Sequence, residues 1–415
     1  MATSSSRASP PVPPRRLGRV AAARGAVRLA VEGVQGVTRI AEGLHGSITR
    51  LAPPLGRVRE RPARGIAGFV YRVVRGSSSL IGHGLDALLA PFDAEGHGDD
   101  SPAGGAVRAA LNGVVGDHLA RTGNPLATPL ELIVRGPATP RVLLLVHGLC
   151  MSDAAWTRKG VDHGQALAQV LGRTAVYVRY NSGRHVSTNG EELAAAVEGL
   201  LAHWPVPVES LAIIGHSMGG LVARSAVHRA QAAGMAWPER LHQMVFLGTP
   251  HHGAALERGG NWLHAVLGTS PYLAPFTRLG MLRSDGITDL RHGNLLAADW
   301  QGGQYLHHDT RTPVPLPAGV ACYAVAGALG PAGAAKPWGD GLVSVNSALG
   351  RHARRRQALR IPRASTWVAR GVHHLDLLSD PAVAARLAAW LHPDSVLSAD
   401  CRYAPGCSAP AAATP

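Results

Sequence analysis

Residues 210–220 read SLAIIGHSMGG, and this stretch decides the fold. Its first seven residues form a short apolar run, which is typical of a buried strand. A turn at Gly215-His216-Ser217-Met218-Gly219 follows, the one G-x-S-x-G in the chain, and it leads into a helical stretch at 219–230. A serine on such a sharp turn needs small residues on both sides, because strand and helix approach closely there. The stretch therefore predicts that the Ser217 hydroxyl lies at the carboxyl edge of a sheet.

The segments on both sides of this stretch repeat the alternation of strand and helix. Short apolar runs bounded by Gly or Pro predict further strands at residues 141–148, 174–180, 243–249, 320–329 and 357–362. Segments with apolar residues three or four apart predict further helices at residues 163–172, 190–204 and 381–391. This order predicts an α/β protein with a mostly parallel sheet that is flanked by helices on both faces.

The chain divides into regions of different composition. Residues 1–18 are rich in Ser, Pro and Arg and are expected to form a disordered basic tail, and residues 19–125 are expected to form a helical N-terminal region. The α/β domain is expected at residues 138–394, with an irregular insertion at 254–315 that forms a lid or cap. The Ala- and Pro-rich residues 395–415 predict a flexible tail.

Composition and charge narrow the function classes. Of 415 residues, 46% are hydrophobic and 16% are charged, which excludes a chain that is disordered as a whole. The net charge of +14 is concentrated in residues 1–75, which contain 14 Arg and three acidic residues. A solvated basic face and peripheral contact with an anionic membrane both remain open for this region, whereas nucleic acid is not an expected partner.

The cysteines and the N-terminus predict a compartment. Four Cys at positions 150, 322, 401 and 407 form no C-x-x-C motif, so that a zinc ribbon or a thioredoxin site is not supported. Pairing of Cys401 with Cys407 would need an oxidising environment and stays open. The N-terminal residues lack the apolar segment of a secretory signal, and we expect a cytoplasmic protein, with peripheral membrane association as the alternative.

Ser217 requires a base and a carboxylate if it is a nucleophile. On folds of this kind the chain order is Ser, then Asp or Glu, then His. Asp340 follows a strand candidate and lies between two glycines, and His374 precedes the last helix. A neutral imidazole takes the serine proton when its other nitrogen donates to a carboxylate. We assign Asp340 and His374, over the rival acids Asp376, Asp285 and Asp289 and the rival base His373.

The developing oxyanion requires two backbone N–H groups. One is expected from Met218, the residue after the nucleophile. The other is expected from Leu149, since Gly148 permits a turn that aims the next N–H inward. His147 and Cys150, which flank these two residues, are expected to have structural roles.

Taken together, these motifs resemble the lipases and esterases of the α/β-hydrolase superfamily. The similarity spans about residues 140–392, and the stretch Gly248-Thr249-Pro250-His251 is similar to one in bacterial lipases and in the GPI inositol-deacylase-like branch. The resemblance implies hydrolysis of a carboxylic ester, in an acyl or lipid-like substrate, through an acyl-enzyme on Ser217. The chain departs from the pattern at Ser344, where a Pro often follows the Leu-Val after the acid.

Several alternatives stay open at this stage. An acyltransferase or an amidase would use the same three side chains, and a non-catalytic membrane-surface module could use the same fold. In the insertion, an apolar set is expected either to line a substrate cleft or to pack the insertion itself: Trp262, Leu263, Val266 and Tyr272. Paired histidines at 251–252, 307–308 and 373–374 lack a recognised ligand spacing, and no metal or cofactor is expected.

Overall fold

The computed structural model describes residues 21–33, 35, 102–254, 284–301, 311–330 and 339–392. The strands are β1 Glu131–Arg135, β2 Arg141–Val146, β3 Thr157–Arg158, β4 Val161–Asp162, β5 Thr174–Arg179, β6 Ser210–His216, β7 Leu241–Leu247, β8 Ala321–Ala328 and β9 Thr366–Arg370. The helices are α1 (residues 21–33), α2 Pro102–Arg121, α3 His163–Val170, α4 Val186–Ala202, α5 Met218–Ala232, α6 Asp285–His292, α7 Ala298–Gln301, α8 Val345–Ala348 and α9 Pro381–Leu391.

Seven strands form one sheet in the order β1-β5-β2-β6-β7-β8-β9. Only β1, at the edge, runs antiparallel to its neighbour, and the other five pairings are parallel. The predicted mostly parallel sheet is therefore confirmed, whereas β1 was not predicted from the sequence. Short β3 and β4 form a separate antiparallel pair.

Both faces of the sheet are buried, as the apolar character of its strands requires. Along β2, Val142, Leu144 and Val146 face one core while Leu143 and Leu145 face the other, because successive side chains point to opposite faces. The first core includes apolar residues of α4 and α5, and the second includes those of α3 and α9. A mostly parallel sheet of this strand order, with helices on both faces, is the α/β-hydrolase fold.

The strand predicted at residues 357–362 is wrong. Residues 354–357 form a turn, in which the Gln357 N–H donates to the Arg354 carbonyl, and the Gln357 side chain is buried with its amide donating to Arg311 O. Pro362 also has no N–H to give to a ladder. The edge strand is β9 instead, four residues later, where Thr366 pairs with Ala324 of β8. The other predicted strands and helices agree with the structure to within a few residues.

The insertion is more regular than expected where the structure describes it. Its residues 284–301 contain α6 and α7, although an irregular segment was predicted. Ser284 caps α6 by accepting the Ile287 N–H, and Gly293 ends the helix in a left-handed conformation with φ of 71°. Residues 255–283 and 302–310 of the insertion, the whole of the predicted tails at 1–18 and 395–415, and residues 36–101 of the predicted helical N-terminal region lie outside the described residues.

The chain forms two compact units, of which the sheet and residues 106–117 make one. The second unit contains α1 together with residues 118–127. Within it, Nε2 of His118 lies 2.6 Å from Oε2 of Glu32, and the Asn124 amide donates to the Gly25 carbonyl at 3.0 Å. None of the helices in the described parts of the chain is long and apolar enough to cross a bilayer.

Candidate active site

Ser217 sits on the sharp turn between β6 and α5. Its backbone has φ of 52° and ψ of −125°. Residues other than glycine rarely adopt this conformation, which costs about 1–3 kcal/mol. The turn is held by two hydrogen bonds, from Ser217 N–H to the Leu247 carbonyl at 2.8 Å and from Gly220 N–H to the Ser217 carbonyl at 3.1 Å. A strained residue that neighbouring strands hold in place is typical of a functional site.

The glycines of the motif are required by close approach of the backbone. A Cβ atom on Gly215 would lie 2.5 Å from the Cα of Gly220, and a Cβ on Gly219 would lie 2.3 Å from the Val146 carbonyl oxygen. Both distances are shorter than carbon atoms tolerate. Strand β6, the start of α5 and the end of β2 therefore pack against one another only because these positions lack a side chain.

Asp340 and His374 are in direct contact although 34 residues separate them. Nδ1 of His374 lies 2.7 Å from Oδ2 of Asp340, and the His374 backbone N–H donates to the Asp340 carbonyl at 3.0 Å. The other carboxylate oxygen accepts the N–H groups of Leu342 and Val343, at 3.0 and 2.8 Å. Both side chains are buried. The carboxylate therefore fixes the orientation of the imidazole and leaves its Nε2 as the nitrogen that can exchange protons.

The environment of Asp340 keeps its carboxylate ionised. Burial by itself would raise the pKa of Asp340. The charge and hydrogen bond of His374, together with the Val343 and Leu342 amides, outweigh burial and hold the pKa below its usual value. An ionised carboxylate at this position stabilises the imidazolium that forms when His374 accepts a proton.

His216 is a residue of the site that the sequence analysis did not single out. Its Nε2 donates to the His374 carbonyl at 3.0 Å, and the two rings lie 4.8 Å apart. Burial lowers the pKa of His216 to about 3, so that its ring is neutral and Nε2 carries the proton that this carbonyl requires. The one sequence signal was its position, directly before the serine in the motif.

Ser217 and His374 border the same small cavity, which has a volume of about 30 Å³. Leu149, Leu290, Leu342 and several neighbours complete a mostly apolar lining. Asp340 is buried and does not line this cavity, because it contacts His374 through Nδ1. The geometry thus places a serine and an imidazole at one opening and an ionised acid behind the imidazole.

The loop after β2 lies beside the nucleophile. A Cβ atom on Gly148 would be 3.1 Å from the Ser217 Cβ, and Leu149 lines the cavity. In the described part of the chain, neither the Leu149 N–H nor the Met218 N–H donates a hydrogen bond within the protein. Two backbone donors near the serine hydroxyl are therefore available to an oxygen atom of a bound molecule.

Two side chains hold this loop in position, and neither was predicted from the sequence. The Tyr180 hydroxyl donates to the His147 carbonyl at 2.8 Å, and its ring stacks on the His147 ring at 4.3 Å. Ser182 accepts the Cys150 N–H at 3.0 Å, where Cys150 has φ of 59°. Both partners follow β5, whose carboxyl end lies beside that of β2 in the parallel sheet.

The rival acids and the rival histidine lie elsewhere. Asp289 accepts hydrogen bonds from His185 Nδ1 and the Val186 N–H at the start of α4, and Asp376 lies 3.8 Å from Arg158. His373 is exposed, whereas its neighbour His374 is buried. The four insertion residues predicted for substrate binding, Trp262, Leu263, Val266 and Tyr272, lie outside the described residues.

Buried histidines predict that this protein loses stability in mild acid. Burial lowers the pKa of His216 to about 3 and that of His147 to about 4, against roughly 6.5 in an unfolded chain. Between these values the unfolded chain binds more protons, so the free energy of unfolding falls as the pH drops through this window. At pH 5 the loss is about 2 kcal/mol for each of these two histidines.

Thermal melting at pH 7 and pH 5, at constant salt concentration, measures this effect. We expect the wild-type protein to melt several degrees lower at pH 5. In the His216→Asn variant, the melting temperature should change less between the two pH values than in the wild-type protein. In the control variant His203→Asn, at an exposed position, it should change as much as in the wild-type protein. Equal melting temperatures of the wild-type protein at both pH values would contradict the prediction.

The comparisons with known proteins give a family without a described function and several distant structures. A family model described as "Domain of unknown function (DUF7379)" matches residues 118–278, which is less than half of the chain. No curated protein matches. The chain is similar to the Bacillus licheniformis lipase BlEst2 in its mature form, with 18% identity, 63% of this chain and 98% of that chain covered, and a TM-score of 0.42.

Two further structures are similar at the same level. The type II thioesterase YbtT from the yersiniabactin NRPS/PKS biosynthetic pathway is 18% identical, with 64% of this chain and 98% of that chain covered and a TM-score of 0.39. A Pyrococcus furiosus esterase is 15% identical, with 63% and 85% covered and a TM-score of 0.38. These values are too low to transfer an activity to this chain.

Proposed function

We propose that this chain is a serine hydrolase that cleaves a carboxylic ester through an acyl-enzyme intermediate. The observation that carries the proposal is the 2.7 Å contact between His374 Nδ1 and Asp340 Oδ2, behind an imidazole that shares a cavity with the strained Ser217. A buried acid that orients a histidine beside an activated serine is the arrangement that nucleophilic acyl transfer requires.

In the first half of the reaction, Ser217 Oγ attacks the carbonyl carbon of the ester. His374 Nε2 takes the serine proton, and Asp340 stabilises the resulting imidazolium without becoming protonated. The carbonyl oxygen becomes an oxyanion, which accepts the N–H groups of Leu149 and Met218. The imidazolium then gives its proton to the alkoxide leaving group, and the alcohol departs.

In the second half, water replaces the alcohol. His374 takes a proton from water as the hydroxide attacks the acyl carbon, and the proton returns to Ser217 Oγ when the acyl bond breaks. The product is a carboxylic acid, and the reaction needs no cofactor. Each backbone donor to the oxyanion is worth about 3 kcal/mol of barrier, so the position of the loop at Leu149 matters as much as the side chains.

The acyl group of the substrate is proposed to be apolar. Leucine side chains at 149, 290, 342 and 375 line the cavity beside Ser217, and none of its described lining residues is acidic. Apolar walls favour an alkyl or aryl group over a charged one. The insertion residues Trp262, Leu263, Val266 and Tyr272 are proposed to extend this surface. The kinship with the GPI inositol-deacylase-like branch and the membrane contact of the basic region stay predictions.

Covalent labelling tests the proposal. A fluorophosphonate should react with the native protein at one residue, and peptide mass spectrometry should identify that residue as Ser217. Prior heating of the protein should abolish labelling, because only the folded site activates the serine. Labelling at another serine, or none at all in a protein that is folded by circular dichroism, would overturn the assignment of the nucleophile.

A panel of p-nitrophenyl esters with acyl chains of increasing length then defines the substrate. We expect turnover of apolar acyl esters and little turnover of an ester with a carboxylate at the end of its acyl chain. Added alcohol or amine acceptors separate hydrolysis from acyl transfer: a hydrolase continues to form the free acid in their presence. Dominant transfer to the acceptor would instead support the acyltransferase alternative.

A further inference from the structure

A second and much larger cavity lies away from Ser217. It has a volume of about 1050 Å³ and shares no lining residue with the cavity at the nucleophile. Its lining includes the N-terminal ends of β7 and β8 and the segments 311–317 and 355–360. We call it the basic cleft, since five arginines line it: Arg224, Arg311, Arg355, Arg356 and Arg360.

Arg224 is a buried cation that has no charged partner among the described residues. Its side chain lies on α5, and the residue is 5% exposed. Its guanidinium donates to the Val314 carbonyl at 2.6 Å and to His251 Nδ1 at 3.3 Å, while its Nε has no hydrogen-bond partner. Burial, and to a smaller extent the Arg311 cation, lowers the pKa of Arg224 to about 10. A buried cation that lacks a counter-ion is costly, and an anion at this position would offset that cost.

His251 provides a second unused donor in the same wall. Because its Nδ1 accepts from Arg224, the neutral ring carries its proton on Nε2. That Nε2 is buried and has no acceptor. Burial holds the pKa of His251 well below the usual value, so the ring stays neutral. Two donors in one wall therefore lack an acceptor.

Among the described residues that line the cleft, arginines outnumber acidic residues by five to one. Asp299 is the acidic residue among those that line it, and both of its oxygens are in use. One accepts the N–H groups of Leu295 and Leu296, and the other accepts the Thr312 N–H. Arg356 and Arg360 are exposed at the opening. The described lining therefore carries a net positive charge, which favours an anionic ligand.

Much of the remaining lining of the cleft is apolar, and part of it is aromatic. It includes Leu295, Val314, Leu316, Tyr323 and Trp390, of which the last two stack with ring centroids 4.9 Å apart. A site for a small inorganic anion alone would not need this surface. A site for a molecule that carries an anionic group on an apolar body would use both parts.

We propose that the basic cleft binds an amphiphilic oxyanion, with a phosphate or carboxylate group at Arg224 and His251 and an alkyl or aryl body against the apolar lining. The planar guanidinium of arginine suits both head groups. Binding here is non-covalent and separate from the chemistry at Ser217. The inference stands whether or not Ser217 is a nucleophile, since the two cavities share no residue.

Calorimetric titration of the full chain with four probes tests the proposal. The probes are octyl phosphate, octanoate, inorganic phosphate and octanol. We expect octyl phosphate and octanoate to bind at least tenfold more tightly than inorganic phosphate and octanol, because only they satisfy both parts of the site. Inorganic phosphate binding as tightly as octyl phosphate would show a site for the free anion and would overturn the amphiphile.

A matched pair of double variants locates the binding. R356Q/R360Q removes two exposed charges at the opening of the cleft, whereas R351Q/R370Q removes two exposed charges outside it. We expect the first to weaken octyl phosphate binding at least tenfold and the second to change it less than twofold. Equal effects of the two pairs would assign binding to the net charge or to the Ser217 cavity, and would overturn the proposal.

The buried arginine is tested separately. Arg224→Gln should abolish binding of octyl phosphate while the far-ultraviolet circular dichroism stays native. Because replacing a buried arginine risks misfolding, the exposed pairs decide the result if this variant does not fold. Unchanged affinity in a folded Arg224→Gln protein would overturn the assigned position of the head group.

Discussion

Replacing Ser217 with alanine is expected to lower kcat/KM for an apolar p-nitrophenyl ester by about 10⁵-fold. The variant loses the atom that forms the acyl-enzyme, while the Leu149 and Met218 donors and the cavity remain. Residual activity should therefore be close to that of the uncatalysed reaction plus a small contribution from substrate binding. Initial rates with the purified protein measure the effect, and fluorophosphonate labelling should disappear with the activity.

The control for this variant is Ser187→Ala. Ser187 lies on α4 and accepts a hydrogen bond from the Trp300 indole, so that it is ordered but belongs to neither cavity. We expect its kcat/KM to stay within about threefold of the wild-type value. If Ser217→Ala kept more than a tenth of the wild-type rate while melting at the wild-type temperature, Ser217 would not be the nucleophile.

Replacing His374 with glutamine is expected to lower kcat by about 10⁴-fold or more. Glutamine keeps a donor for Asp340 and fills much of the space of the ring, but it cannot accept the serine proton at neutral pH. Without a base, Ser217 remains a weakly nucleophilic hydroxyl. Steady-state kinetics and the rate of fluorophosphonate labelling should both fall, because both need the activated serine.

The adjacent residue provides the matched control. His373→Gln makes the same chemical change one position earlier, at an exposed side chain. We expect activity within about threefold of wild type for this variant. If His373→Gln lost activity while a folded His374→Gln protein kept it, the assignment would be contradicted. His373, the exposed residue, would then be the base.

Much of the fold follows from local sequence patterns. The strands β2, β5, β6, β7 and β8 are short apolar runs bounded by turn residues, and such runs are recognisable without knowledge of their partners. Strand β1 escaped prediction because an edge strand is only half buried and its sequence, ELIVR, is too short to show a clear period. Residues 357–362 were wrongly predicted as a strand because their composition is typical of one. The turn at 354–357 and Pro362 exclude this segment from the hydrogen-bonded sheet.

The residues of the candidate site differ in how well they could be predicted from the sequence. Ser217 could be selected because its motif is a local requirement: glycines at 215 and 219 are needed wherever the backbone approaches this closely. Asp340 and His374 were chosen from several candidates by chain order and by their positions after a predicted strand and before the last predicted helix. His216, Tyr180 and Ser182 were missed as supports, since their partners are backbone atoms distant in sequence that no local pattern indicates.

The sequence by itself determined the sharp turn at Ser217, the alternation of strand and helix, and the concentration of basic charge near the N-terminus, because each depends on residues close together in the chain. Only the tertiary structure decided which acid contacts which histidine. Within the part of the chain that the structure describes, it also decided which backbone donors stay unused and that Arg224 is buried without a counter-ion. Those properties arise when distant segments pack together and exclude water, and packing sets both the distances and the cost of an unpaired charge.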